Sequence, residues 1–430
     1  MMEAIRKYKD KSHIFVKSKF EKEDGAGWLL LQQLIIAPMS LITTVLLARI
    51  LSIEDYGFYK YILSVYGIVA IFGFVGFYNI AALNIQRGED AFFNIGFKYR
   101  KLLRWIPGIL SLLIASYYFI RGNDFLGTLF LITIFAHLFS DLYDFYTVGT
   151  SGRGNYKLNA YLAVIGYFVT YVPPIITAYF TENLYLVFAT LFLCQFIFRF
   201  LAFKYVKKKL HFDKDLEASS KESLGDYKKE SLHLSLNGAL GNLQVHGSGA
   251  IVFNRLGAEA NAIYSLAITF ADFIYGIIGA PLGKALLILS RMTRDKVHDG
   301  EKRTLVKHLS KKYFWLAFLA MLATMLALPF VYKILFAKYF FSYQFAVVYS
   351  LSILAIAFHP AYQYFYEARK IKLLNTIQIA TLVLGLASLF FSAMYFGLWG
   401  AIIVAIIMRF ANNIVSSIFV LKEKRGSIKI

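Results

Sequence analysis

Charge, cysteine and polar surface are all scarce in this chain, and each shortage removes a class of protein. Only 17% of the 430 residues are charged and 58% are hydrophobic, whereas a typical soluble domain carries about 25% charged residues. That polar surface is too small to cover a water-soluble globule of this size. A single cysteine, Cys194, excludes an internal disulfide and a cysteine-based metal cluster. It sits in an apolar run and reads as a small buried hydrophobe. No GxxxxGK[ST] occurs, so the usual backbone cradle for ATP phosphates is missing. Nothing else in the sequence calls for a cofactor or a metal.

The apolar residues are grouped in long runs. A bilayer core about 30 Å thick takes roughly 20 helical residues, and twelve stretches meet that length: 28–51, 57–83, 102–120, 125–148, 158–180, 184–203, 232–256, 262–290, 313–332, 342–366, 373–394 and 398–420. The least regular are 232–256, which is polar, and 102–120, which contains Pro107. These runs predict an all-α integral membrane protein.

The net charge of +20 would suggest a nucleic-acid partner on a soluble chain. Here its distribution argues otherwise. With the N-terminus inside, the segments 1–27, 84–101, 149–157, 204–231, 291–312, 367–372 and 421–430 hold 36 of the 46 Lys and Arg residues, and the outside loops hold only Arg121, Lys333 and Lys338. Basic residues collect on the cytoplasmic side of membrane proteins. Both termini are therefore expected in the cytoplasm, and the charge is a topology signal with affinity for anionic membrane lipids. The polar, basic segment 1–27 precedes an apolar run too long for a signal-peptide core, so no cleavable signal is expected. The longest outside loop, 333–341, has nine residues, too few for a folded extracellular catalytic region.

One short motif recurs. The stretch LARILSIEDYGFYKY (Leu47–Tyr61) breaks the apolar pattern with a charged turn, and NRLGAEANAIYSLA (Asn254–Ala267) echoes it. Leu51, Glu54 and Tyr59 align with Leu256, Glu259 and Tyr264 at an offset of 205 residues; the same offset sets Gln32 on Asn237 and Thr43 on Ser248. Six spans per half is an even number, so the halves enter the membrane from the same side and form a parallel repeat. The expected fold is two parallel six-helix lobes, 28–203 and 232–420, around a central cavity. A cytoplasmic segment 1–27, a linker 204–231 and a tail 421–430 complete it. The tyrosines of the hairpins suit the membrane interface. A second pair of similar segments crosses inside near Lys157 and Asn159, and near Lys372 and Asn375.

The stretches LLARILSIEDYGFYKYILSVYGI, RLGAEANAIYSLA and ARKIKLLNTIQIATLVLGLASLFFSAMYFGLWGAIIVA, the last with a Gly397-Leu398-Trp399-Gly400 turn, resemble a known family. It is the polysaccharide-transporter branch of the multidrug, oligosaccharidyl-lipid and polysaccharide exporter superfamily, which includes O-antigen flippases. The likeness runs from about residue 25 to 422. It implies alternating access, with a polyprenyl-pyrophosphate-linked oligosaccharide moved from the inner to the outer leaflet of the cytoplasmic membrane. Polysaccharide assembly proteins are then plausible partners. The polar 232–256 segment, with Asn237, Asn242, Gln244 and His246, departs from that family pattern.

Ionisable residues inside a membrane ask for a reason. Arg199 and Lys284 lie close enough to the inside boundary to snorkel. Arg49 and Arg255, near the outer ends of spans one and seven, suit either headgroup anchoring or the cavity mouth. Arg409 is central in span twelve. His137, Asp141 and Asp144 share one face of span four, His246 is mid-span in seven, and Asp272 lies in span eight. One reading pairs Asp141 and Asp144 with Arg409 as a structural lock. The functional reading makes Arg49, Arg255, His246, Lys284 and Arg409 cargo-binding residues, since charge-assisted hydrogen bonds hold pyrophosphate well. It makes Asp141, Asp144 and Asp272 ion-coupling residues for H+ or Na+. Two alternatives remain: a multidrug or small-cation exporter of the same fold, and a membrane polymerase or ligase using Asp141 and Asp144 as paired carboxylates.

Overall fold

The computed structural model describes residues 25–212, 221–294, 299–360 and 371–422. Those residues form twelve membrane passages. Ten helical segments are long and apolar enough to cross a bilayer. One of them, Asn375–Val415, lies within Ile371–Lys422, which Gly397 (φ 60°) divides into the eleventh and twelfth passages. Gly385 and Met408 touch across this turn, so the two run antiparallel. The remaining passage is the seventh, Lys221–Leu256, whose polar composition keeps it outside the apolar set.

The passages meet in tight turns at one end, at Leu51–Ser52, 121–123, 182–183, Gly257, Phe336 and Gly397. The opposite end carries the longer, Lys/Arg-rich connections. Side-chain caps close several tight turns. Ser52 Oγ accepts from the Asp55 amide (3.0 Å) and donates to Asp55 Oδ2 (2.6 Å), so the charged turn supplies the N-cap that opens the second passage. Asn123 and Asn183 cap the fourth and sixth passages in the same way. Gly257, with φ 87°, terminates the seventh passage and donates to Phe253 O (2.9 Å).

Side chains such as Ile109, Leu113, Ile176, Leu201, Leu319 and Leu384 lie exposed around the perimeter. A belt of this kind is a lipid-facing surface. Inside it, one apolar core runs through both lobes toward the tight-turn end. A second, rich in phenylalanine, fills the basic end of the N-terminal lobe around Phe92, Phe93, Phe145 and Phe203.

The two repeated hairpins pack against each other. A Cβ at Gly57 would land inside the Ala258 carbonyl, and Asn261 Nδ2 donates to Gly57 O at 2.9 Å. Tyr61 stacks on Phe253 with centroids 3.7 Å apart, and Tyr56 meets Tyr339 edge-on. Arg49 Nη2 donates to Ile334 O (3.2 Å), and Lys338 Nζ donates to Arg49 O (2.7 Å). The lobes are therefore closed on each other at the tight-turn end. Small residues are what let helices approach this closely in a membrane.

Four passages depart from regular α-helix. The second consists of Ile53–Ala70, a 3-10 turn Ile71–Gly73, and Gly76–Gln86, with Phe74 left-handed at φ 54°. The freed backbone groups find side chains. Arg100 donates to Gly73 O, Ser235 Oγ accepts from the Gly76 amide (2.9 Å), and Tyr227 donates to Phe77 O (3.1 Å). Tyr227 is enclosed among these helices. The third passage is stepped between Ala91–Leu103 and Trp105–Ile120. The fourth contains a π-helical turn, Ala136–Ser140, and the tenth a 3-10 run, Ser350–Phe358.

Candidate functional site

Each lobe holds one polar network in its interior. In the N-terminal lobe the π-turn brings His137 and Asp141 together, with His137 Nδ1 3.1 Å from Asp141 Oδ2. π-turns inside α-helices often mark functional positions. Tyr66, from the second passage, donates to Asp141 Oδ1 at 2.7 Å, and its ring stacks on His137 at 4.4 Å. Arg199, from the sixth, donates to the same oxygen at 2.7 Å and approaches Asp144 Oδ1 with Nε at 3.4 Å. Tyr78 OH donates to Asp141 O (2.9 Å), and Arg100 lies over the Tyr78 ring. His137 is fully buried, and its Nε2 has no hydrogen-bond partner.

The C-terminal lobe repeats this plan with the parts exchanged. Arg409, from the twelfth passage, is ion-paired with Asp272 of the eighth. It also donates to Tyr349 OH of the tenth (3.3 Å) and lies 4.1 Å from the centroid of the Tyr275 ring. In both lobes an arginine of the sixth helix joins a network of the second and fourth, Arg409 by direct contact with both and Arg199 through Asp141, which Tyr66 also engages. In the N-terminal lobe the carboxylates are on the fourth helix and the tyrosine on the second. In the C-terminal lobe the carboxylate is on the second helix and the tyrosine on the fourth. Asn413 steadies the C-terminal arrangement, with Nδ2 3.5 Å from Ala355 O.

These contacts revise two expectations. Arg409 does not pair with Asp141 and Asp144; it serves Asp272 in its own lobe, and Arg199 serves the other two. Arg199 does not snorkel, since its side chain is only 19% exposed and its guanidinium is engaged inside the lobe. Spacing along one helix identified the His137–Asp141–Asp144 face but could not name its partner on another helix.

The other candidates are dispersed. Arg49 lies in the seam at the tight-turn end, beside a cleft of about 180 Å³ that Lys338 and Tyr339 also line. The Arg255 guanidinium sits 3.6 Å from the centroid of the Phe390 ring. His246 packs on the second passage, where a Cβ at Gly67 would meet its ring. Lys284 belongs to the eighth passage, Ala258–Arg294, but its side chain lies outside the described residues. So does most of the crossing before Lys372, residues 361–370. Arg100 and Tyr66 were missed by sequence reasoning. Arg100 belongs to a basic loop by composition, and Tyr66 is one of thirty tyrosines.

The family described as "Polysaccharide biosynthesis protein" matches residues 23–292. No curated protein sequence matches the chain. Several solved structures share its fold. An inward-facing multidrug resistance MATE family transporter of the MOP superfamily is 16% identical, with a TM-score of 0.68 over 92% of this chain and 97% of that one. A MATE transporter of Vibrio cholerae is 16% identical, with a TM-score of 0.61 over 94% and 97%. A MOP superfamily transporter of Pyrococcus furiosus, described as having a binding pocket of reverse polarity that suggests a different function, is 15% identical, with a TM-score of 0.57 over 93% and 95%.

Proposed function

Because the chain belongs to the polysaccharide biosynthesis protein family and has the twelve-helix fold of MOP superfamily transporters, we propose that it is a flippase. It moves a polyprenyl-pyrophosphate-linked oligosaccharide from the inner to the outer leaflet, for a surface polysaccharide such as O-antigen. The distribution of basic residues supports placing the tight-turn end outside and both termini in the cytoplasm. Transport then proceeds by alternating access between the lobes, and the seam around Gly57 and Asn261 is the closed outer gate.

The observation that carries the cargo reading is the arginine clasped in the interior of each lobe. An exporter of drug cations gains nothing from guanidinium groups along its path, whereas a pyrophosphate can compete with the carboxylates for them. The reverse pocket polarity described for the Pyrococcus furiosus transporter supports reading cargo charge from residues and not from fold. On this reading Arg409, Arg255, Arg49, Lys284 and His246 contact cargo at successive depths, and Asp141, Asp144 and Asp272 couple transport to H+ or Na+. The multidrug resistance transporters among the solved structures favour the second reading, a multidrug or small-cation exporter of the same fold.

The test is surface-glycan export in a deletion strain carrying variants whose membrane levels are matched. Single Arg→Ala changes at 49, 255 and 409 should each lower export, with Arg→Lys recovering it partly. Full export by the triple Arg→Gln variant would transfer the protein to the cation-exporter reading.

A further inference from the structure

We propose that the tight-turn end of the seam carries a phosphate-binding site, shared between Arg49 of one lobe and Lys338 of the other, that is assembled only while this gate is closed. This rests on the reading of the protein as an alternating-access transporter and gives the closed gate a ligand of its own.

A helix ends with carbonyl groups that lack intrahelical partners and carry the negative end of its dipole. The first passage ends at Ile50 and the ninth at Leu335, and each of these ends is capped from the opposite lobe. Lys338 Nζ donates to Arg49 O at 2.7 Å and to Leu51 O at 3.3 Å, and Arg49 Nη2 donates to Ile334 O at 3.2 Å. The exchange is reciprocal, so parting the lobes breaks both caps together and separates the two cations.

The caps leave charge to spare. A guanidinium and an ammonium have more N–H donors than these contacts take up. Among the described residues no carboxylate is ion-paired with either side chain, and Asp55, on the adjoining turn, is engaged by Ser52 Oγ. Cations are also scarce at this end, where the loops hold only Arg121, Lys333 and Lys338. Both side chains line the cleft of about 180 Å³, whose other walls are Ala48, Phe336, Ala337 and Tyr339. The Tyr339 hydroxyl is buried, so the two cations set the chemistry of the cleft.

Two uncompensated cations around a small cleft fit one compact oxyanion. At the depth of a membrane surface that anion is a phosphate, which Arg holds with a planar fork and Lys as a point charge. Its source is either cargo pyrophosphate delivered to the outer leaflet or a lipid headgroup; the chemistry at the site is the same. A ligand shifts an equilibrium only by its differential affinity for the two states. Both cations face one ligand only when the lobes are together, so a bound phosphate favours the closed gate and opposes backflow of delivered cargo.

The experiment uses the full-length chain with Cys194 replaced, in maltoside micelles that contain no phosphate, at an ionic strength fixed with chloride. Pyridoxal phosphate followed by borohydride should modify Lys338 well ahead of Lys333, an exposed lysine at the end of the ninth passage, and inorganic pyrophosphate should protect Lys338 alone. In Arg49→Gln the pyrophosphate needed for protection should rise about tenfold or more, the worth of one charge-assisted hydrogen bond. Spin labels at Ile120 and Tyr395, exposed positions in opposite lobes at the tight-turn end, should move toward the shorter-distance population as pyrophosphate is added. Arg49→Gln/Lys338→Gln should favour the longer population and ignore pyrophosphate, while Lys333→Gln behaves as the parent. Equal, unprotected modification of Lys338 and Lys333 overturns the proposal. So does a distance response that persists in the double variant or runs toward opening. Phosphatidylglycerol added in place of pyrophosphate names the source: the same protection assigns the site to headgroups, and its absence assigns it to cargo. A protected Lys338 in a parent that exports no glycan would leave this site standing and remove the flippase reading; export by the parent with Lys338 unprotected would do the reverse.

Discussion

Replacing Arg199 with glutamine should be among the most damaging single changes to the folded protein, although the residue lies near the end of an apolar run. Arg199 is the only described cation bonded to Asp141 and Asp144. The side chain of Asp141 is 13% exposed and that of Asp144 38%. Removing one partner from a largely enclosed ion pair costs about 3–5 kcal/mol, because the other charge stays buried. Asp144 can rehydrate in part, so the cost falls toward the lower figure. The matching change at the other lobe, Asp272→Asn, should cost less. Asp272 is 48% exposed, and Arg409 retains Tyr349 OH and the Tyr275 ring. Thermal unfolding of the purified protein in detergent should therefore rank Arg199→Gln well below Asp272→Asn. The double variant Arg199→Gln/Asp141→Asn should recover a large part of the loss, since only Asp144, whose side chain is 38% exposed, is then left without its partner. Equal midpoints for Arg199→Gln and the parent, or a double variant that is additively worse, would refute the network described for this lobe.

Gly57→Val should abolish export and lower the yield of folded protein, because its Cβ would occupy the space of the Ala258 carbonyl; wild-type export by this variant would show that the seam is not closed by backbone contact. Single cysteines at Gly225 and at Lys338, in a chain with Cys194 replaced, should be labelled in intact cells respectively only by membrane-permeant reagents and also by impermeant ones. The reverse pattern would invert the topology.

Much of the fold was legible because membrane helices are written by length and apolarity, and the shared end of the longer connections by where Lys and Arg collect. The repeat was legible for a local reason. Glu54 and Glu259 each fall in the first turn of a helix beginning at a tight bend, where a negative charge complements the helix dipole in both halves. The offset of 205 residues also anticipated that the hairpins correspond, though not that Asn261 reaches Gly57. The interior networks were only half legible. His137 and Asp141 could be paired from spacing, because i and i+4 share a helical face, even though the actual turn is π-helical. Arg199 could not be matched to them, since no periodicity links residues 58 positions apart on different helices. The break at Phe74 left no proline to announce it. Its signal is the pair Gly73 and Gly76, and its stabilising contacts come from Arg100, Ser235 and Tyr227, far along the chain.

That break has a thermodynamic consequence. Were residues 71–77 an unbroken α-helix, the Gly76 amide would bond to Phe72 O, and Gly73 O would be taken by the Phe77 amide, as i to i−4 pairing requires. The groups that Ser235 and Arg100 now engage would then be satisfied within the second passage itself. Ser235 belongs to the other lobe, so helicity at 71–77 and docking of the seventh passage are linked equilibria, each competing for the same backbone hydrogen bond. Pulling the seventh passage away need not strand a buried amide at about 1–3 kcal/mol, because the helix can close over the gap. Local winding and unwinding can thus be exchanged for lobe separation at little net cost, and amide hydrogen exchange at Gly76 would report which of the two holds the bond.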